Sequence, residues 1–86
     1  MRSEKVILGN EVGLHARPAA LLIKEASKYK SQINIIKEEK NYNGKSIISI
    51  LSMAAIKGDE LTVSAEGEDE AEAVNSLKEF IANYKD

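Results

Sequence analysis

Apolar residues recur along this chain in two rhythms, and the changes of rhythm mark its elements. Lys5 to Leu8 is a short apolar run closed by Gly9 and Asn10, which predicts a strand and a turn. Past His15, residues laid out at roughly 100° each place Ala19, Leu22, Ile23 and Ala26 on one side, the core face of a helix. Ala16, Ala20 and Lys24 fall on another side with Arg17 beside them. Pro18 suits that helix's first turn, where a missing N–H costs little. Gln32 to Lys37, with β-branched Ile33, Ile35 and Ile36, predicts a second strand. Glu38-Glu39-Lys40 reads as a polar turn, and Asn41-Tyr42-Asn43-Gly44 as a short strand entering another turn. Ser46 stands where it can cap a short second helix. After a turn at Gly58-Asp59, the segment Glu60 to Ala65 alternates with period two, as a half-buried strand does. Asp69 or a neighbour is placed to cap a last helix, in which Val74, Leu77, Ile81 and Tyr84 recur at helical spacing with Phe80 beside them.

The order β-α-β-β-α-β-α predicts an α+β domain. Two-faced elements in a short chain pack most economically as one mostly antiparallel four-stranded sheet with three helices on a single face. The 86 residues suffice for one domain, spanning 1–86. A domain of this size buries only about 60–65% of the surface its unfolded chain exposes, so chemistry belongs near the surface.

Composition removes several function classes. There is no cysteine, hence no disulfide framework and no thiolate metal site. A single histidine excludes a poly-His metal site within one chain, and no cofactor or metal is expected. The net charge of −2, from 12 basic and 14 acidic residues with the lysines scattered, does not describe a nucleic-acid binder. The opening MRSEKVILGN lacks the apolar core of a signal peptide, and no apolar run approaches the roughly 20 residues that span a bilayer. The expectation is a cytoplasmic protein, monomeric by default.

The second helix is unusual in carrying two apolar stripes. Ile50, Met53 and Ala54 form one; Ile47, Ile48 and Leu51 form another, nearly opposite. One sheet buries one stripe. Burying both needs a layer that this chain has no residues to build, so Ile47, Ile48 and Leu51 are expected at least partly exposed, as a docking patch.

The chemistry concentrates at His15. Imidazole is substantially a neutral nucleophile near pH 7. The first-turn N–H groups of the helix that follows, at Ala16 and Arg17, have no intrahelical partner and suit an anion. The Arg17 guanidinium offers a fork to phosphate oxygens. From spacing alone, a histidine that merely ends a loop beside a solvated arginine is the commoner arrangement, and no triad accompanies it.

The segment Gly13-Leu14-His15-Ala16-Arg17-Pro18-Ala19-Ala20 resembles the active-site motif of the histidine-containing phosphocarrier (HPr) family of the bacterial phosphotransferase system. Lys45-Ser46-Ile47 and the stretch Gly58 to Glu70 resemble the same family at matching spacing, so the similarity runs along essentially the whole chain. The resemblance implies an open-faced β-sandwich. It implies that His15 accepts phosphate, on Nδ1, from Enzyme I charged by phosphoenolpyruvate. It implies onward transfer to IIA-type components of sugar permeases, with Arg17 assisting. It places Ile47, Ile48 and Leu51, flanked by Ala16, Ala20, Arg17 and Lys24, on the surface that partners meet. At Ser46 it implies regulatory phosphorylation by an ATP-dependent HPr kinase/phosphorylase, with a catabolite-control transcription factor as a further partner. The protein is then a relay and not an enzyme.

Three departures stand out. Val12 occupies a place where a small hydroxyl residue is frequent, Ser49 one where glycine is often found, and Asn10-Glu11 lacks a proline sometimes seen there. Three other readings share the pattern. One is an HPr-like regulator acting in carbon catabolite repression only through Ser46; such relatives replace the histidine that stands here. Another is a nitrogen-related phosphocarrier. The last is a small binding module whose His15 is incidental.

Overall fold

β4 (Glu60–Glu66) runs inside the sheet, between β1 (Arg2–Ile7) and β2 (Gln32–Lys37), and β3 (Lys40–Asn43) completes the order β1-β4-β2-β3. Every pairing is antiparallel. The architecture comes from a computed structural model that describes residues 1–85. Val63 stands opposite Glu4 on one side and Ile35 on the other; Ala65 stands opposite Arg2 and Ile33. Side chains alternate along a strand, so Leu61, Val63 and Ala65 share a face with Ile33 and Ile35, and all five are buried.

Three helices cover that face: α1 (Ala16–Ala26), α2 (Ile47–Ser52) and α3 (Glu70–Asn83). Ala19, Leu22 and Ala26 enter the core from α1, Ile50 from α2, and Ala73, Val74, Leu77 and Ile81 from α3. Ile23 packs at the edge of this cluster, half-buried. Each large aliphatic side chain buried this way contributes about 1.5–3 kcal/mol. The result is the open-faced β-sandwich expected, with all strands antiparallel.

Several boundaries differ from the sequence reading. β1 begins at Arg2 rather than Lys5 and ends at Ile7. Arg2 to Glu4 carry no apolar pattern, but their backbone pairs with Ala65 to Val63 of β4. Exposed polar side chains are what a sheet edge tolerates best. β3 begins at Lys40, so the turn narrows to Glu38-Glu39. Both glutamates lie at positive φ, 49° and 69°, as a type I′ hairpin demands. The pairing of Lys37 with Lys40 leaves only these two residues to reverse the chain.

Ala54 leaves the stripe assigned to it. It is exposed and lies beyond α2, where its φ of 51° ends the helix in the left-handed region. A residue with a Cβ is strained there. Ala54→Gly should raise the unfolding free energy by roughly 0.5–1 kcal/mol in urea titration. Tyr84 likewise lies just past α3, where its ring stacks on Phe80 at 5.3 Å between centroids.

Asp69 occupies the N-cap position of α3 but makes no side-chain cap bond. Its carboxylate instead accepts from the Lys30 and Ser31 N–H groups and from the Ser31 hydroxyl, tying α3 to the start of β2. The Ser31 hydroxyl foremost, then the Lys30 and Ser31 N–H groups, hold this carboxyl at about 2 instead of the usual 3.8. Its pKa is depressed on folding, so the stability it supplies is complete above pH ~4 and lost as pH falls towards 2. Asp69→Asn should therefore flatten the acid limb of the stability profile, read as the urea midpoint between pH 5 and pH 2.5.

Candidate functional site

His15 is the residue immediately before α1, extended at φ −84° and ψ −168°, and it is exposed. Its carbonyl already accepts the first helical bond, from Ala19 N–H at 3.0 Å. Ala16 and Arg17 therefore stand in the first turn, where no helical carbonyl reaches their N–H groups, and Pro18 has none to satisfy. No acidic residue sits in that turn to compete with an anion. Arg17 is exposed two residues beyond the imidazole.

The loop before His15 is held from inside. Asn10 is buried; its side-chain amide donates to Gly13 O at 2.6 Å while Gly13 N–H donates to Asn10 O at 3.1 Å. Gly13 adopts φ +72°, with its Cα against the backbone of Ala55. Leu14 N–H donates to Ala55 O at 3.1 Å. Thus the start of α1 is set by a chain segment some forty residues away, which sequence reading of Asn10 as a mere turn residue did not reveal.

Around His15 lies a shallow hollow of about 270 Å³ lined by Val12, Leu14, His15, Leu51, Ala54, Ala55 and Ile56. Larger clefts, of about 370 and 410 Å³, lie elsewhere and do not contain His15. Enclosure favours small-molecule turnover; a group passed between proteins needs an open surface, so the shallow hollow is the chemically relevant one. Val12 presents an apolar side chain at its rim, 59% exposed, where a hydroxyl was the alternative.

Ile47, Ile48 and Leu51 are exposed, Ile48 at 78%, while Ile50 and Met53 are buried. The two-stripe reading of α2 therefore holds for these five residues. Ala16, Ala20 and Lys24 form an exposed row on α1, which packs against α2. Leu21, Val12 and Ile56 add exposed apolar surface that sequence reading missed. Leu21 was detectable, since it falls off the buried stripe of its own helix.

Ser46 caps α2, its hydroxyl accepting from Ser49 N–H at 3.3 Å. Ser49 fits without disturbance: its hydroxyl accepts from Asn43 N–H at 2.8 Å, joining β3 to α2. Leu51, not Ser46, reaches the His15 hollow; Ser46 sits at the opposite end of a helix of six residues, about 9 Å long.

Comparison with known proteins agrees with this geometry. The family model described as PTS HPr component phosphorylation site matches residues 2–83. The phosphocarrier protein HPr of Mycoplasma capricolum is 46% identical over 79 residues, 92% of this chain and 89% of that protein. The HPr-like protein Crh of Bacillus subtilis is 41% identical, covering 94% of this chain and 95% of its own length. A crystal structure of Crh, described as a swapped dimer, superposes with a TM-score of 0.76. The crystal structure of HPr-C-His from Thermoanaerobacter tengcongensis superposes with a TM-score of 0.90 at 44% identity, covering 94% of this chain and 91% of that one. The chain accordingly belongs to the HPr family of the phosphotransferase system and is a phosphocarrier, not an enzyme.

Proposed function

We propose that this protein carries phosphate on His15, taking it from phosphorylated Enzyme I and passing it to IIA-type components of sugar permeases, in the cytoplasm and as a monomer. The carrying observation is the position of an exposed imidazole directly before a helix N-terminus, with Arg17 in the same turn. A ring nitrogen attacks the donor's phosphorus; the new N–P bond forms as the bond to the donor atom breaks. The Ala16 and Arg17 N–H groups and the Arg17 guanidinium balance the charge on the transferring oxygens. Transfer to the acceptor reverses these steps. The exposed position stabilises the phosphoimidazole only moderately, which keeps it transferable.

Ile47, Ile48 and Leu51 form the apolar centre of the docking surface, with Arg17 and Lys24 as a basic rim and Ala20 between them. Such a surface suits acidic partners that bind and leave quickly. Among the described residues, no helix is long and apolar enough to cross a membrane.

Ser46 is the regulatory position, modified by an HPr kinase/phosphorylase and then read by a catabolite-control transcription factor. A phosphate there would add about two negative charges at the edge of the docking surface. Ser46→Asp should slow phosphorylation by Enzyme I at least severalfold; uptake at the parent's rate would remove this reading. The similarity to Crh supports a regulatory role, but His15 stands in place here, which favours the carrier.

The test incubates the protein with phosphoenolpyruvate and Enzyme I and follows intact mass. The expected result is a gain of one phosphate that brief acid removes. No gain, with the same Enzyme I active on a control carrier, would refute the proposal.

A further inference from the structure

Lys37 ends β2, remote in sequence from the His15 motif, and its side chain is 17% exposed. The ammonium sits among three oxygens: Met53 O at 3.2 Å, Ala54 O at 3.4 Å and Asp59 Oδ2 at 3.3 Å. Met53 and Ala54 follow the last turn of α2, at the negative end of its dipole, where carbonyls lack helical partners. Asp59 Oδ2 in turn accepts from Ile56 N–H at 2.9 Å, and Asp59 N–H donates to Ile56 O at 3.0 Å. One cation therefore fastens both ends of the segment from Met53 to Asp59.

The middle of that segment, Ala54 to Ile56, is a wall of the hollow that holds His15. Ala55 O accepts from Leu14 N–H, so a single peptide separates the wall from the imidazole's own residue. The wall is also strained, because Ala54 keeps φ 51° without being glycine. A positive charge on the carbonyls at this point opposes the relaxation that the strain favours.

We propose that Lys37 is a positioning residue for His15: by clamping Met53, Ala54 and Asp59 it holds the 54–56 wall, and through the Ala55–Leu14 bond it sets where α1 begins and the imidazole stands. This inference rests on the phosphocarrier reading of His15. Lys37 touches no phosphate. Its effect passes through backbone geometry, where small displacements of a nucleophile slow transfer steeply.

Lys37→Met keeps the length and apolar bulk and removes the charge; Lys37→Arg keeps the charge. Enzyme I-dependent phosphorylation should fall about tenfold in Lys37→Met at saturating donor, with KM little changed, and recover largely in Lys37→Arg. The amide signals of Leu14 and His15 should move in the Met variant under NMR. Asp59→Asn keeps an oxygen for Ile56 N–H, removes the charge facing Lys37 and should act in the same direction. It carries the test should Lys37→Met not fold. Variants that are less heat-stable but match the parent in rate and in the Leu14 and His15 signals would overturn the inference alone. A parent that accepts no phosphate would overturn the carrier reading and this inference with it.

Discussion

Replacing His15 with alanine should abolish acid-labile phosphate uptake while leaving the fold intact. His15 is the chain's one histidine, and no cysteine is present as a substitute nucleophile. Hydroxyl nucleophiles such as Ser46 form phosphoesters that survive brief acid, so mass spectrometry separates the two chemistries. The structural cost should stay small because the ring is exposed. Unfolding free energy should change by about 0.5 kcal/mol or less. The loss is therefore of a reacting atom and not of the scaffold. Retention of acid-labile phosphate in His15→Ala would place the chemistry elsewhere.

Gly13→Ala should be the most damaging conservative change near the site. An added Cβ would stand 2.3 Å from Ala55 O and 3.1 Å from Ile56 Cα, at a φ of +72°. The left-handed backbone alone costs about 1–2 kcal/mol for an L-residue. The clash adds to that, because its partner is backbone and cannot rotate away. Relief requires moving the 54–56 wall or the loop, which breaks the Leu14–Ala55 bond and the two Asn10–Gly13 bonds. A total of about 3 kcal/mol follows, measured as the shift in urea unfolding, together with slower phosphorylation of what remains folded. Gly58→Ala is the control. Gly58 also has positive φ, at +92°, but nothing within 4 Å of an added Cβ, so only the backbone cost applies. Equal losses at the two positions would show that the close approach to Ala55 is not what holds the loop.

Local periodicity made much of this fold legible. The placement of Ala19, Leu22 and Ala26 on one helical face and the alternation of Leu61, Val63 and Ala65 are properties of short windows, and all six are buried. The exposure of Ile47, Ile48 and Leu51 followed from counting stripes against available layers. Features set by distant partners were not legible. Arg2 to Glu4 form strand because β4 offers them a ladder, not because their side chains alternate. Glu38-Glu39 takes a turn that glycine or asparagine would signal, because the register on either side permits no longer loop. Asp69 reads as a cap, yet its oxygens are claimed by Ser31 and Lys30, nearly forty residues earlier.

The candidate site divides in the same way. His15, Arg17 and the helix start lie in one continuous motif and were readable together. The hollow around His15 was not, since Val12, Leu51 and Ile56 meet there only after α2 and the following loop have packed. Its anchors, Lys37 and Asp59, carry side chains that look like ordinary surface charge in the sequence. The Asp59 carboxyl is held below its usual range by the Ile56 N–H first and then by Lys37, a marker of this anchoring visible only in three dimensions.

Phosphate is expected to ride on the His15 imidazole at the start of α1. The most direct test is NMR of the ¹⁵N-labelled protein after phosphorylation by Enzyme I, observing the imidazole nitrogens and the backbone amides together. The expected result is phosphorus bonded to His15 Nδ1, with amide shifts concentrated at residues 15–17. Phosphate bonded elsewhere, or an unchanged α1 N-terminus in a fully phosphorylated sample, would rule out His15 as the carrier.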